Sequence, residues 1–222
     1  MKFFSIDSPV YRFMCRFWDI TKLNLCWLLC CIPIVTIGAA TVAAYSVTLK
    51  MVENEEGYIA RSFFKAFKEN LKNGFILEVL TVLCFEVVYI DYQLFEKAEG
   101  NPVIFLIISV VSGFVFVLSL LYAYPLSARY DNSIAMTLRN SFRISMRYFG
   151  RTLMLVFVIA VEVIVFLWNE ITLFFALLLG PALIFYTIST MARMIFKMIE
   201  KDSEEQQAVM AGSASDLQEE FG

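Results

Sequence analysis

The chain has 222 residues, of which 59% are hydrophobic, 16% aromatic and 18% charged, and its mean hydropathy is +0.70. A soluble globular domain is about 45–50% apolar and about 25% charged, so this composition excludes an ordinary soluble domain and predicts an all-α polytopic membrane protein. The formal net charge is −3, and the acids are concentrated after residue 199. We therefore expect a membrane domain at 1–199 and an acidic, disordered cytoplasmic tail at 200–222.

The first apolar stretch, residues 23–49, carries no charge and has basic residues on both sides. A single crossing carries Lys and Arg mainly at its cytoplasmic end, so bases on both sides favour two arms that leave from and return to one side. Pro33 and Gly38 also weaken a continuous helix at the centre of the stretch. The sequence predicts arms at about 12–32 and 37–52, with a re-entrant segment or one overlong crossing as the alternatives.

The turn between the arms is a candidate ligand site or structural break. Pro33 removes a backbone hydrogen bond, and Thr36 is suited to cap the helix that continues through Gly38. Exposed amides at such a helix start hold anionic groups in some transporters. The alternative, which the pattern favours, is a plain structural turn satisfied by neighbouring residues.

Four further apolar runs predict four clear transmembrane helices, each near the ~20 residues that a crossing needs. Lys and Arg are concentrated in alternate connections, which places the N- and C-termini of a multi-pass protein of the bacterial cell membrane in the cytoplasm. Pro125 and Pro181 each predict a bend within a run. The runs lie at about 74–96, 102–128, 151–169 and 171–198.

Two basic amphipathic segments, at 58–73 and 132–150, each precede a pair of crossings. Apolar residues recur at helical spacing with bases opposite, a pattern typical of interfacial helices whose basic face meets lipid headgroups or an acidic partner. The candidate cytoplasmic docking or lipid-binding residues are Lys65, Lys68, Lys72, Arg139, Arg143 and Arg147.

Glu86 and Glu162 are the candidate membrane-depth acids. An ionisable group at depth is costly and marks a functional site by default, and the two residues occupy similar positions in the two predicted hairpins. They predict a shared proton or a cation site. For Glu162 the alternative is simple access to water from the nearby outer turn.

No catalytic constellation occurs in the sequence. The chain has no histidine, and it contains neither a phosphate-binding glycine loop nor a nucleophile placed beside a base. The five cysteines lie in or near apolar runs, where thiols behave as small hydrophobic groups. We therefore expect no enzyme activity, no cofactor, no metal and no nucleic-acid partner, and we expect membrane lipids as partners.

Three stretches carry a family resemblance: LNLCWLLCCIPIVTIGAATVAAY, RSFFKAFKENLKN and YPLSARYDNS. They resemble the YesL-like family of small bacterial integral membrane proteins, a domain of unknown function, over about residues 10–195. The resemblance implies a Gram-positive or related bacterium and a gene often encoded beside carbohydrate ABC importers. It implies no catalytic residue. The most specific positions are Asn24, Pro33, Thr36, Gly38, Phe63, Phe64, Phe67 and Asn70.

Three functions remain open from the sequence. The resemblance implies a non-enzymatic accessory protein of carbohydrate ABC import, either a permease partner or an assembly factor. The broken first segment and the membrane-depth acids allow an independent small-solute or proton-coupled transporter or channel. The acidic tail allows a membrane signalling or scaffold protein.

Overall fold

A computed structural model describes the backbone of residues 9–55, 57–97 and 103–221, with the side chains of these residues up to 205 and at 207. Within these ranges the chain is helical and forms no strand, so the predicted all-α fold is confirmed. Most of the predicted connection between the runs at 74–96 and 102–128 lies outside the described ranges, as do the first eight residues. The helices are α1 (Pro9–Cys30), α2 (Ile37–Glu53), α3 (Ile59–Glu69), α4 (Leu71–Lys97), α5 (Val103–Leu121), α6 (Ala123–Arg129), α7 (Ile134–Arg147), α8 (Phe149–Leu167) and α9 (Glu170–Phe221), with a short 3-10 turn at Ile34–Thr36.

Five segments in the described part of the chain are long and apolar enough to cross a membrane. Four of them correspond to the four predicted crossings, and the fifth contains the second arm of the N-terminal stretch. The charges of α1 keep that helix out of this set. The candidate spans are Ile34–Glu53, Leu71–Lys97, Val103–Arg129, Phe149–Leu167 and Glu170–Glu205.

Helices α1 and α2 form an antiparallel hairpin with a tight turn between them. Arg16 at the start of α1 donates from Nη1 to Met51 O at 2.9 Å and from Nη2 to Asn54 Oδ1 at 2.7 Å, both at the end of α2. Close to the turn, Trp27 Nε1 donates to Thr41 Oγ1 at 3.2 Å. The two predicted arms are therefore confirmed, and one overlong crossing is excluded. We call the end that contains Arg16 and Asn54 the open end of the hairpin.

Helix α2 is the central helix of the fold, since it packs against α1, α3, α4, α6 and α9. Its small and β-branched residues are almost all buried, which lets neighbouring backbones approach closely. Thr48 Oγ1 and Ser189 Oγ lie 2.6 Å apart and join α2 to α9 through a buried hydrogen bond. The core of the protein therefore surrounds α2, which the sequence predicts only as the second arm of the N-terminal hairpin.

Helices α2 and α4 cross at a pair of glycines. A Cβ atom added to Gly38 would overlap the carbonyl oxygen of Gly74, and one added to Gly74 would overlap the backbone of Ala39. Only glycine fits at either position, because the neighbouring atoms are backbone and cannot rotate away. The crossing therefore fixes where α4 passes α2.

Helix α3 runs back along the α1–α2 hairpin. The chain leaves α2 at Asn54, at the open end, yet Gly74 contacts Gly38 near the turn. At a rise of about 1.5 Å per residue these two levels are roughly 24 Å apart along α2, so α3 must lie nearly antiparallel to it. Phe63 of α3 is fully buried as a result. The apolar side of this amphipathic helix thus packs on protein.

Helix α9 continues beyond the predicted end of the membrane domain. Its backbone stays helical to Phe221, so residues 200–221 are helical where the sequence predicts disorder. Extending an existing helix needs no new nucleus, and the Ala, Glu, Gln, Met and Leu residues of this segment are strong helix formers. Composition alone favours disorder here, because it takes no account of the helix that this segment extends.

We predict that Gly74→Ala destabilises the protein by about 1–3 kcal/mol or more, because the added methyl group overpacks the crossing. Gly150→Ala is the matched control, since Gly150 is also helical but has open space around its Cα. We expect Gly150→Ala to be neutral or slightly stabilising. Unfolding in detergent measures both variants, and equal stability of the two would contradict the close crossing.

Candidate functional site

The chain's own side chains close the predicted break at Pro33–Gly38. Thr36 Oγ1 lies 2.6 Å from Cys30 O and 2.8 Å from Pro33 O, so this hydroxyl bonds to the end of α1. It makes no capping bond to α2, and the predicted cap is wrong. Instead, Gly38 N–H donates to Glu78 Oε2 of α4 at 3.0 Å. A carboxylate already occupies the start of α2, where the helix dipole favours an anion, which supports the structural alternative.

A second break separates α5 from α6, where Pro125 prevents a continuous helix. Two serines of α7 bond to the backbone there. Tyr122 N–H donates to Ser141 Oγ at 3.2 Å, and Ser145 Oγ donates to Leu118 O at 2.7 Å. Both serines are fully buried. The break is therefore satisfied by side chains of a neighbouring helix.

The third break is a gap in the backbone hydrogen bonding of α9 at Pro181, and Asn24 of α1 spans it. Proline has no N–H to donate to Leu177 O, four residues earlier. Asn24 Nδ2 donates to this carbonyl at 2.9 Å, and Asn24 Oδ1 accepts from Ala182 N–H at 3.2 Å. Asn24 is fully buried. The sequence singles out Asn24 only through the family resemblance; an amide within an apolar run is the signal that could have identified it.

The structure does not bring the two candidate membrane-depth acids together. Glu86 is exposed on α4. Glu162 on α8 accepts from Thr187 Oγ1 at 2.6 Å, and its Oε2 is buried without a partner among the described residues. Helices α4 and α8 do not form a packed pair. The geometry therefore gives no support to a proton or cation shared between them, and the acid that matters structurally is Glu78.

The candidate lysines all project away from the protein, Lys65 and Lys68 from α3 and Lys72 from the start of α4. Lys65, Lys68 and Lys72 are exposed, while Phe63 on the opposite side is buried. Lys65 Nζ lies 4.0 Å from Glu69 Oε1, and an ion pair this exposed contributes little to stability. Helices α3 and α7 do not form a packed pair, so Lys65 and Lys68 lie on a different surface from the arginines of α7.

A network of ion pairs ties α9 to the rest of the protein at the open end of the hairpin. Glu200 Oε1 accepts from Arg129 Nη2 at 2.8 Å and from Tyr130 OH at 2.7 Å, and Glu200 Oε2 accepts from Arg193 Nη1 at 3.3 Å. Arg193 also pairs with Glu53 at the end of α2. Burial raises the pKa of Tyr130, which keeps its hydroxyl protonated as a donor. Sequence reasoning missed this network because its members are far apart in the chain.

A cleft of about 450 Å³ opens beside this network, between α7 and α9. It brings together Arg143 and Arg147, two of the predicted docking residues, whereas Arg139 is exposed outside it. Arg147 Nη2 pairs with Asp202 Oδ2 at 2.9 Å on the rim. The cleft is lined by Leu126, Tyr130, Asn132, Asn140, Arg143, Ile144, Arg147, Phe196, Ile199, Glu200 and Ser203.

Apolar helices long enough to span a bilayer, broken at three points and joined by buried side-chain bonds, define an all-α multi-pass membrane protein. Residues 20–92 match the family model described as Protein of unknown function, DUF624. This domain corresponds to the YesL-like family, so the resemblance is confirmed over these residues. The matched segment contains both glycines of the α2–α4 crossing. No curated protein and no solved structure matches the chain.

We predict that Glu78→Met lowers the free energy of unfolding by about 1–3 kcal/mol, because the Gly38 amide loses its acceptor inside the bundle. Glu78→Gln keeps an acceptor oxygen and should lose less. Glu86→Met, on an exposed face of the same helix, is the control and should leave stability unchanged or raise it. Thermal unfolding in detergent compares the three variants, and an equal effect of Glu78→Met and Glu86→Met would refute the role of Glu78.

Proposed function

We propose that this protein is a non-enzymatic accessory membrane protein associated with carbohydrate ABC import, as a permease partner or an assembly factor. The family resemblance supports the association with importers, and the alternation of basic connections supports cytoplasmic termini in a bacterial cell membrane. The docking surface that we propose is the lysine face, formed by Lys65 and Lys68 of α3 and by Lys72 at the start of α4.

The observation that carries this proposal is the fixed orientation of α3 on the core of the protein. Phe63 is buried in the core and Phe67 packs against it, so the orientation of α3 is fixed and Lys65 and Lys68 are held on its outer side. Lys72 is exposed in the first turn of α4, which follows α3 directly. Apart from the weak contact of Lys65 with Glu69, the described residues supply no ion pair to these lysines. A preformed basic face loses little entropy when an acidic surface binds to it.

The placement of the acids favours docking over the alternative of independent transport. Glu86 lies on an exposed face of α4, and Glu162 bonds to Thr187 on the other side of the fold. The break at Gly38 is filled by Glu78. None of these three positions offers an evident binding site to a solute, whereas the basic faces are accessible.

We predict that the variant K65Q/K68Q/K72Q captures at least tenfold less importer than the natural chain. Each exposed ion pair is worth roughly 0.5 kcal/mol, and three together correspond to about a tenfold change in affinity. The measurement is co-purification of the full chain from native membranes in mild detergent, with quantitative mass spectrometry of the importer subunits encoded at the same locus.

The matched control is R139Q/K197Q/K201Q, which removes three exposed basic residues outside α3. It should capture the same amount of importer as the natural chain. If the natural chain captures no importer subunit, the association with import is wrong. If both triple variants capture importer equally well, the lysine face is not the docking surface.

A further inference from the structure

The cleft between α7 and α9 has no role in the proposed docking and has an unusual distribution of charge. Glu200, its only acid, already accepts from Arg129, Tyr130 and Arg193, so its charge is balanced within the protein. Arg143 has no hydrogen-bond or ion-pair partner in the described part of the chain. The cleft therefore offers donors in excess, and its occupant must supply acceptors.

The donors of the cleft suit a phosphate group. Arg143 and Arg147 are four residues apart on α7, so their guanidinium groups emerge from the same face of the helix. Asn140 lines the cleft one turn earlier. The planar fork of a guanidinium matches two oxygens of a phosphate. The ion-pair partner of Arg147 is Asp202, in a pair of which the two side chains are 59% and 46% exposed, so an anion can replace that partner at little cost.

The floor of the cleft is apolar, which indicates that the ligand is more than a free anion. Leu126, Ile144, Phe196 and Ile199 line it below the polar groups. A volume of about 450 Å³ lies within the range of ordinary ligand sites and exceeds what a phosphate alone would fill. A ligand that fits both the donor groups and the apolar floor carries a phosphate next to hydrocarbon.

The position of the cleft gives such a ligand access from the membrane. Arg147 is the last residue of α7, and the candidate span of α8 begins at Phe149. On the outer side of α7, Phe142 and Met146 are exposed, as in helices that lie at a bilayer surface. The cleft therefore lies at the end of a crossing, at the level of lipid headgroups.

We propose that the α7–α9 cleft binds the phosphate group of an anionic amphiphile. Arg143 and Arg147 hold the phosphate, Asn140 donates to it, and the apolar floor takes the adjoining hydrocarbon. Arg147 exchanges Asp202 for the phosphate when the ligand binds. This inference is independent of importer docking, because it uses α7 and α9, whereas docking uses the lysine face of α3 and the start of α4.

The test is native mass spectrometry of the full chain in an uncharged detergent with three probes: phosphatidylglycerol, phosphatidylcholine and soluble glycerol 3-phosphate. We expect phosphatidylglycerol to bind at least tenfold more tightly than either of the others. Equal binding of phosphatidylglycerol and phosphatidylcholine would overturn recognition of an anion. Equal binding of glycerol 3-phosphate would overturn the role of the apolar floor.

Variants on a single helix locate the site. Arg143→Gln should lower the affinity for phosphatidylglycerol at least tenfold, and Arg143→Lys should restore only part of it, because Lys lacks the planar fork. Arg139→Gln removes the same charge from α7 outside the cleft and should bind normally. Equal losses in Arg143→Gln and Arg139→Gln would show general attraction to a basic helix and overturn the site. Arg143→Gln should still capture importer, so failure of the cleft and failure of importer docking are distinguishable.

Discussion

A backbone polar group that loses its helical partner inside a bilayer finds no water to replace it, and this constraint organises the whole bundle. Backbone hydrogen bonding is interrupted at three points, and at each of them a side chain from another helix bonds to the backbone. Glu78 binds the amide of Gly38, the serines of α7 bind the end of α5, and Asn24 binds both sides of Pro181. Each of these hydrogen bonds also joins two helices.

These side-chain-to-backbone bonds fix the positions of the helices on which the proposed functions depend. The bond from Glu78 lies beside the glycine crossing, so α4 can begin only near the turn of the hairpin. The connecting helix α3 must then run along α2, which turns Phe63 into the core and leaves Lys65 and Lys68 outside. At the opposite end, Glu200 joins α9 to Arg129 of α6, and Arg193 joins α9 to Glu53 of α2. The cleft beside α7 remains open. The two basic surfaces thus follow from how the breaks are closed.

Much of the fold can be predicted from the sequence, because run length and charge alternation depend only on local composition. The hairpin at Pro33 and the four later crossings were predictable in this way. The partner of a side chain is not a local property: Asn24 bonds to backbone more than 150 residues away. The rotation of a helix about its axis cannot be read from the sequence when its residues are apolar on all sides. The sequence therefore predicts a depth for Glu86 and Glu162 but not the direction in which each side chain faces.

The candidate site was predictable to the same extent. The spacing of Arg143 and Arg147 identifies a basic face of α7, and the structure places both residues in one cleft. The sequence does not indicate that α9 continues as a helix, supplies Glu200 to that cleft and places Asp202 on its rim, because the acidic composition of the segment favours disorder.

The most direct test of the central claim is a double-mutant cycle between Asn24 and Pro181, measured as free energy of unfolding in detergent. Asn24→Ala in the natural chain leaves Leu177 O without a donor and should cost about 1–3 kcal/mol. Pro181→Ala restores a backbone N–H four residues after Leu177, so Asn24→Ala in that background should cost at least about 1 kcal/mol less. If the two substitutions are additive, Asn24 does not replace the bond that proline removes, and the account is contradicted.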